Sequence, residues 1–267
     1  MTIDLARAVR RSTLQMIAQA NASHIGSCLS ATDLLAVLYS RVVRIDPTRP
    51  LWSDRDRFIL SKGHAVAALY AVLAHRGFFP LGWLDHYCEN GSALLGHVSH
   101  HVPGVDWSSG SLGHGLSVGC GMALAAKRGH LDYRVFVLLS DGELDEGSSW
   151  EAILFAPHHR LDNLIAIVDY NKIQGFGSVK EVLDLSPMAE KWRAFNWAVR
   201  EIDGHDHGQI ADVLMAAPFE ENRPSVIIAH TIKGKGVSFM EDQLVWHYKA
   251  PNDDQLREAL AELEGET

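Results

Sequence analysis

The sequence is poor in the features that mark secreted, membrane or disulfide-bonded proteins. Three cysteines occur in 267 residues, and their spacing resembles neither a metal site nor a disulfide framework. No apolar run approaches the roughly 18 residues that a membrane span requires. The N-terminal residues do not follow the basic-then-apolar order of a secretory signal. We therefore expect a cytoplasmic protein without a membrane partner.

Positive charge is also in short supply. The chain has 24 Lys and Arg against 33 Asp and Glu, a formal net charge of −9, which argues against a protein that mainly binds nucleic acid. Histidine, by contrast, is abundant, with 15 residues, several of them beside glycine, as at His64, His97, His114 and His205. Histidine in glycine-rich loops is often found where polar ligands bind, although any single one can simply fill space.

Short apolar runs alternate along the chain with amphipathic helical patterns. The apolar runs predict strands at 57–60, 135–139, 164–168, 198–202 and 226–229. The helical patterns predict helices at 3–20, 32–43, 65–75, 187–195, 208–216 and 252–264, and another around Trp150. Buried strands alternating with helices indicate an α/β fold, a doubly wound, mainly parallel sheet with helices on both faces. Since neither a repeat nor a linker is present, one domain over residues 1–267 is expected.

Two polar residues follow neighbouring predicted strands. Asp141 comes directly after the run VFVLLS, and Asn171 comes shortly after LIAIV. Ligands of open α/β sheets bind beyond the carboxyl ends of the strands, and consecutive strands are often adjacent. A carboxylate and an amide oxygen suit Mg²⁺, which usually bridges to phosphate, and Gly142 would allow a ligand to approach the backbone. An ordinary Asp-Gly turn is the alternative, and these residues alone leave it open.

The same residues resemble a known cofactor motif. Asp141-Gly142, with Asn171 30 residues after Asp141, is similar to the thiamine diphosphate motif, which usually opens Gly-Asp-Gly. Five segments resemble transketolases in the same order: SKGHAVAALYAVLA, SGSLGHGLSVGCGMA, SDGELDEGSSWEA, LDNLIAIVDYNK and HTIKGKGVSFMED…WHYKAP. The resemblance runs from about residue 5 to residue 251. The chain is identified as a member of the transketolase family, and it resembles the N-terminal, diphosphate-binding subunit of a split transketolase.

This resemblance implies the thiamine diphosphate-binding fold, with the pyrimidine-binding and C-terminal domains on a separate chain. It implies that Mg²⁺ is bound by the side chains of Asp141 and Asn171 and by the carbonyl of Ile173. The residues implied to bind thiamine diphosphate are His64, Gly110, Ser111, Leu112, Asp141, Gly142, Asn171, Lys233 and His247.

The resemblance also implies catalytic residues. Glu146 and Glu151 match acidic residues that link paired cofactor sites across a dimer. Glu146 is equally explained as a helix N-terminal charge favoured by the dipole, and Glu151 as a solvated helix residue. Ser27 matches a position near the substrate entrance. The histidines that match the lining of the family's substrate channel are His24, His64, His97 and His247.

The implied activity is transfer of a two-carbon ketol unit from a ketose, or its phosphate, to an aldose or its phosphate. Thiamine diphosphate would supply the carbanion, while histidines bind sugar hydroxyls and move protons. The family's activating glutamate and most of its phosphate-binding arginines belong to the missing half. We therefore expect the chain to be inactive alone and to form an α2β2 heterotetramer with a C-terminal transketolase subunit.

Some positions depart from the family pattern. Ser140 replaces the first glycine of the motif, and His114 stands where glutamine is usual. Ser-His-Ile-Gly at 23–26 replaces the common Gly-His-Pro-Gly. Two alternatives stay open. One is a subunit of another thiamine diphosphate enzyme, of the 2-oxoacid dehydrogenase or deoxyxylulose-phosphate synthase type. The other is a non-catalytic scaffold with the same fold.

Overall fold

A parallel sheet lies at the centre of the protein. The computed structural model describes residues 1–265. Within them, five strands form one sheet in the order β1-β2-β3-β5-β4, with every neighbouring pair parallel. The strands are β1 (Arg57–Leu60), β2 (Val135–Ser140), β3 (Leu164–Tyr170), β4 (Ala198–Asp203) and β5 (Ser225–His230). Each predicted strand is found in place, extended by at most two residues at either end.

The helices flank the sheet. They are α1 (Thr2–Ala20), α2 (Ile25–Val37), α3 (Val66–His75), α4 (Gly115–Arg128), α5 (Gly147–His158), α6 (Val179–Val182), α7 (Met188–Ala194), α8 (His207–Met215) and α9 (Asp253–Gly265). No helix in the described part of the chain combines the length and apolarity needed to cross a membrane.

Three helices differ from the sequence prediction: α2 begins elsewhere, and α4 and the short α6 were not predicted. Helix α2 begins at Ile25 rather than near residue 32, because Ser30 and Thr32 do not cap it: Thr32 bonds the carbonyl of Cys28 within the helix. Helix α4 contains several glycines and was not predicted. Its Gly119 lies so close to the sheet that a Cβ there would come 2.6 Å from Val137 Cγ2. Glycine thus serves helix–sheet packing at this position, at the expense of helix propensity.

The sheet is covered on both faces, as predicted for a doubly wound fold. Phe136 and Leu138 of β2 join the core that contains residues of α1, α2, α3, α8 and α9. Val135, Val137 and Leu139 join the opposite core, with residues of α4, α5 and α7. This alternation follows from the two-residue period of a strand, and burial of both faces explains the continuous apolar sequence.

The sheet brings the polar residues of the motif together. Strands β2 and β3 are adjacent, and their register pairs Ser140 with Asp169. Asp141 and Asn171 therefore leave the sheet at the same edge, where Thr231 follows β5. The expectation that the two motif strands are neighbours is confirmed.

A buried polar network connects the first two helices to the segment after β5. Arg10 on α1 donates to both oxygens of Asp33 on α2, at 2.9 and 2.6 Å. His205 and His207 contact the same carboxylate at 2.7 and 3.0 Å, and the Ile232 N–H donates to the second nitrogen of His205 at 2.8 Å. Burial opposes ionisation, yet these bonds and the guanidinium charge hold the pKa of Asp33 far below its usual range.

We predict that Asp33→Ala lowers the free energy of unfolding by about 3–5 kcal/mol, since it leaves the buried Arg10 guanidinium without its carboxylate. Denaturant titration followed by tryptophan fluorescence measures this change. Asp132→Ala is the matched control: Asp132 pairs with Arg44 but is fully exposed, so its loss should cost less than about 1 kcal/mol. Equal losses for the two variants would contradict the importance of the buried network.

Candidate active site

A cleft of about 490 Å³ opens at the carboxyl edge of the sheet. Most of the residues predicted for the site contribute to its wall: His24, Ser27, His64, His97, Gly110, Leu112, Asp141, Gly142, Glu146, Asn171, Ile173, Lys233 and His247. Two predicted residues do not line it. Ser111 is exposed in the loop beside Gly110, and Glu151 is exposed on α5. The structure thus brings together residues from seven or more separate segments of the chain.

Three oxygen donors lie on one side of the cleft. The Asp141 carboxylate is buried and accepts the N–H groups of Gly142 at 2.7 Å and Lys172 at 2.6 Å. The Asn171 side-chain oxygen accepts the Ile173 N–H at 3.1 Å. The Ile173 carbonyl accepts a hydrogen bond from Lys233 Nζ at 2.9 Å. Backbone and side-chain bonds therefore orient all three oxygens before any ligand binds.

The charge of Asp141 is poorly balanced. Burial, and then the nearby Asp169, raise its pKa to about 6. Among residues 1–265 its hydrogen-bond donors are backbone N–H groups, with no direct ion pair. A divalent cation would remove this imbalance, and carboxylate, amide and carbonyl oxygens are the donors that Mg²⁺ prefers. Within residues 1–265, no group of three or more His, Cys, Asp or Glu side chains is arranged so that it could hold a metal ion by itself.

A buried ion pair forms the floor of the cleft. Lys62, just after β1, donates to Asp169 of β3, and both side chains are fully buried. Ser30 and Thr231 also donate to this carboxylate. Burial opposes ionisation of Asp169, but the Lys62 charge and these hydrogen bonds hold its pKa below the usual range. The pair joins α2, β1, β3 and the segment after β5.

A second lysine reaches the cleft. Lys233 is 1% exposed, and its ammonium donates to the Ile173 carbonyl and lies 3.1 Å from His247 Nδ1. Burial, and then repulsion from Lys62, lower its pKa to about 8. An ammonium can only donate, so His247 Nδ1 is the acceptor, and in the neutral ring the proton is on Nε2. Two lysines beside hard oxygen donors create a site for an anion accompanied by a cation.

Four histidines meet above this site. The ring centre of His24 lies 4.9 Å from that of His247, 5.2 Å from His64 and 6.0 Å from His97. His24 adopts a left-handed backbone, with φ 74°, and its N–H donates to the His247 carbonyl at 2.9 Å. Such a conformation costs a non-glycine residue of order 1–2 kcal/mol and is commonest where function requires it.

Three of the four histidines, His24, His64 and His247, are kept neutral. Burial, and then neighbouring imidazoles and lysines, lower the pKa of His24 to about 4. Burial and the Lys233 charge lower that of His247 to about 3, and burial together with the Lys62 charge holds the pKa of His64 well below its ordinary value. At neutral pH these rings can therefore accept or donate hydrogen bonds without carrying charge.

The two predicted glutamates differ in position. Glu146 is the N-cap residue of α5, is exposed and lies at the rim of the cleft. Its side chain makes no capping hydrogen bond. The position is compatible with a residue that links paired cofactor sites and equally with a charge at the helix N-terminus. Glu151 lies one turn further along the exposed face of α5.

Several polar residues of the cleft escaped the sequence analysis. Lys62 lies in the Ser-Lys-Gly-His segment, and Asp169 lies two residues before Asn171. Gln174 lines the cleft, and its side chain interacts with the carboxyl group of Asp145. Glu143 is fully buried behind the wall. Their positions in the sequence could have identified these residues as site candidates. Each lies near or just after the carboxyl end of a predicted strand, where ligands of open α/β sheets bind.

This arrangement defines the class of protein. A doubly wound sheet with hard oxygen ligands, buried lysines and neutral histidines at its carboxyl edge is suited to a phosphorylated cofactor held with a divalent cation. The family described as "Transketolase, thiamine diphosphate binding domain" matches residues 2–264, and the chain belongs to this family. The resemblance predicted from the sequence is confirmed.

Named relatives agree with this membership. The chain is 44% identical to a 6-deoxy-6-sulfo-D-fructose transketolase subunit of Clostridium sp., over 98% of this chain and 95% of the relative. It is 42% identical to an apulose-4-phosphate transketolase subunit of Phocaeicola vulgatus, over 95% and 90%. Transketolase from Leishmania mexicana superposes with a TM-score of 0.93 at 27% identity. That match covers 99% of this chain but only 41% of the Leishmania enzyme.

We predict that the imidazoles of His24 and His247 stay neutral when the pH is lowered from about 8 to 5.5, because their pKa values of about 4 and 3 lie below this window. Side-chain NMR of histidine-labelled protein measures their protonation, with His24→Gln and His247→Gln to assign the signals. The unfolded chain binds these protons near pH 6.5, so the free energy of unfolding should fall as the pH drops below that value. Titration of either ring near pH 6.5 would contradict the prediction.

Proposed function

We propose that this chain is the diphosphate-binding subunit of a thiamine diphosphate- and Mg²⁺-dependent transketolase. It would act with a separate C-terminal subunit to transfer a two-carbon ketol unit from a ketose or its phosphate to an aldose or its phosphate. The observation that carries the proposal is the convergence of His24, His64, His97 and His247 directly beside the oriented oxygens of Asp141 and Asn171.

The cofactor would be held by opposite charges at the carboxyl edge of the sheet. Asp141, Asn171 and the Ile173 carbonyl would bind Mg²⁺, and Lys233 would pair with the diphosphate as a point charge. Gly142 leaves room at the backbone for the diphosphate. His64 and His247 would contact the cofactor, and the loop of Gly110, Ser111 and Leu112 would hold its thiamine part.

The histidines would bind the sugar and handle protons. Bound thiamine diphosphate supplies the carbanion chemistry for breaking and forming carbon–carbon bonds. His24 and His247 are neutral and close together, so each can donate a hydrogen bond to a hydroxyl or accept its proton without an added charge. His97, on the loop facing them, would complete the substrate wall. His24 and His247 are partly buried, which limits competition from water, whereas His97 is exposed.

A partner chain would complete the site. The chain spans about 41% of the solved Leishmania transketolase, and its relatives of nearly equal length are named as subunits. Two apolar side chains that line the cleft, Phe176 and Val182, are exposed. We propose that a C-terminal subunit covers the cleft in an α2β2 assembly, with Glu146 and Glu151 linking the paired sites. The single domain and its free cysteines suit a reducing cytoplasm.

The substrates belong to the sugar class. The names of the relatives mention a sulfofructose and apulose 4-phosphate, which are anionic sugars. By analogy we propose a ketose carrying a phosphate or a similar anion as donor, with a sugar aldehyde as acceptor. The replaced segment at residues 23–26 contributes His24 to the cleft wall and would adjust this preference.

The direct test is a ketol-transfer assay. This chain would be incubated with hydroxypyruvate or xylulose 5-phosphate and an aldose phosphate, with thiamine diphosphate and Mg²⁺, alone and mixed with a candidate C-terminal subunit. We expect activity only in the mixture, because the activating glutamate is expected on the partner. A mixture that binds the cofactor but transfers no ketol unit from any sugar donor would favour another thiamine diphosphate reaction. Absence of cofactor binding would favour a scaffold.

Asp141→Ala tests the metal assignment. In the assembled protein we expect Mg²⁺-dependent binding of thiamine diphosphate to be lost, because the variant removes the only carboxylate among the proposed ligands. Isothermal calorimetry with and without Mg²⁺ measures the affinity. Asp145→Ala is the control, since Asp145 lines the same cleft but is not a proposed ligand. Unchanged affinity of Asp141→Ala would refute the assignment.

A further inference from the structure

A buried acid behind the cleft wall has no part in the function proposed above. Glu143 is fully buried in the short helical turn Gly142–Asp145 that follows β2. Its Oε1 accepts the hydroxyl of Ser61 and, at 2.9 Å, the N–H of Gly113. Its Oε2 is buried without a partner among residues 1–265. Burying a carboxylate with so few donors is unfavourable, which points to a specific use for the two bonds that it makes.

Those bonds connect Glu143 to a loop that forms one side of the cleft. Residues 109–114 form this loop, which we call the 109–114 loop. At its start, the Ser109 hydroxyl donates to the Leu60 carbonyl at 2.6 Å. At its end, the Gly113 carbonyl accepts the Ser148 hydroxyl at 2.8 Å. Gly113 has φ +83°, and a Cβ there would lie 2.5 Å from Ser148 Oγ, so the packing admits only glycine.

The Glu143 bond fixes a particular peptide of this loop. The Gly113 N–H belongs to the Leu112–Gly113 peptide, in which N–H and C=O point in opposite directions. The N–H points to Glu143, and the Leu112 carbonyl accepts His114 Nδ1 at 2.9 Å. The peptide is thus held from both sides. Leu112 and Gly110 line the cleft, so the orientation of this peptide sets the shape of the wall.

We infer that Glu143 is a positioning residue, which holds the Leu112–Gly113 peptide so that the 109–114 loop presents a fixed surface to the thiamine end of the cofactor. The inference rests on the proposed function, which assigns this loop to the thiamine part. The residues proposed for the diphosphate end are Asp141, Asn171 and Lys233. Their hydrogen bonds within the described structure do not involve the Glu143 side chain. Loss of Glu143 should therefore affect the two ends of the cofactor unequally.

The experiment compares two ligands in the assembled protein. For Glu143→Ala we expect the affinity for thiamine diphosphate with Mg²⁺ to fall about 10-fold or more, since the buried hydrogen bond that fixes the loop is lost. The affinity for inorganic diphosphate with Mg²⁺ should stay within about twofold, because that ligand does not reach the loop. Glu143→Gln keeps an acceptor oxygen and should recover most of the lost affinity. Calorimetry measures both ligands.

A matched control and a second readout keep the inference testable. The Ser149 hydroxyl donates to the backbone carbonyl of Glu143 at 3.0 Å but does not contact the 109–114 loop, so Ser149→Ala should leave both affinities unchanged. Amide hydrogen exchange of the wild-type assembly requires no variant. It should show the Gly113 amide as the slowest to exchange in the loop, and faster exchange in Glu143→Ala.

Three results would overturn the inference. They are unchanged thiamine diphosphate affinity in Glu143→Ala, an equal loss for both ligands, and rapid exchange of the Gly113 amide in the wild type. If Glu143→Ala does not fold, the wild-type exchange decides. Failure of the wild-type assembly to bind thiamine diphosphate would instead count against the proposed function, while the Gly113 exchange would still report whether Glu143 holds the loop.

Discussion

The buried ion pair between Lys62 and Asp169 is the interaction on which the site depends. It joins the ends of β1 and β3, and Ser30 from α2 and Thr231 after β5 bond the same carboxylate. Removing either charge would leave the other buried without its partner, which usually destabilises a protein by several kcal/mol. Four elements are therefore held in one arrangement at the edge where the ligand must bind. The Asp33 network holds the next residue of the same segment, because His205 bonds both Asp33 and the Ile232 N–H.

Around this pair, the protein maintains an electrostatic environment that is unfavourable without a ligand. Asp141 is buried with a raised pKa, Lys233 is buried with a lowered pKa, and His24 and His247 above them are held neutral. Each shift reports a charge that water no longer stabilises. A metal–diphosphate ligand would supply the missing opposite charges, so the same burial that weakens the unliganded protein strengthens binding. The left-handed backbone of His24 likewise lowers the stability of the folded chain while it places the imidazole in the cleft.

The walls of the cleft are shaped by close contacts between segments. Gly113 has a conformation and surroundings that admit no side chain, and Gly119 allows α4 to lie directly on the sheet. Hydroxyl groups of Ser61, Ser109 and Ser148 then bond acceptors on neighbouring segments. Loops that are long and irregular in sequence are in this way fixed without regular secondary structure. Such order before binding reduces the entropy lost when a ligand binds.

The sequence by itself determined the sheet and the polar residues that stand at its carboxyl edge. Apolar runs long enough to be buried on both faces predict all five strands, and Asp141 and Asn171 stand at the ends of two of them. Local patterns are sufficient here because a strand's period and its carboxyl end are properties of adjacent residues. Only the tertiary structure decided which distant residues meet. The contacts of His24 with His97, of Lys62 with Asp169 and of Glu143 with Gly113 join parts of the chain that no short-range pattern relates. Helix α4 was missed for a similar reason, because its Gly119 is required by close packing against the sheet and lowers the helix propensity of the segment.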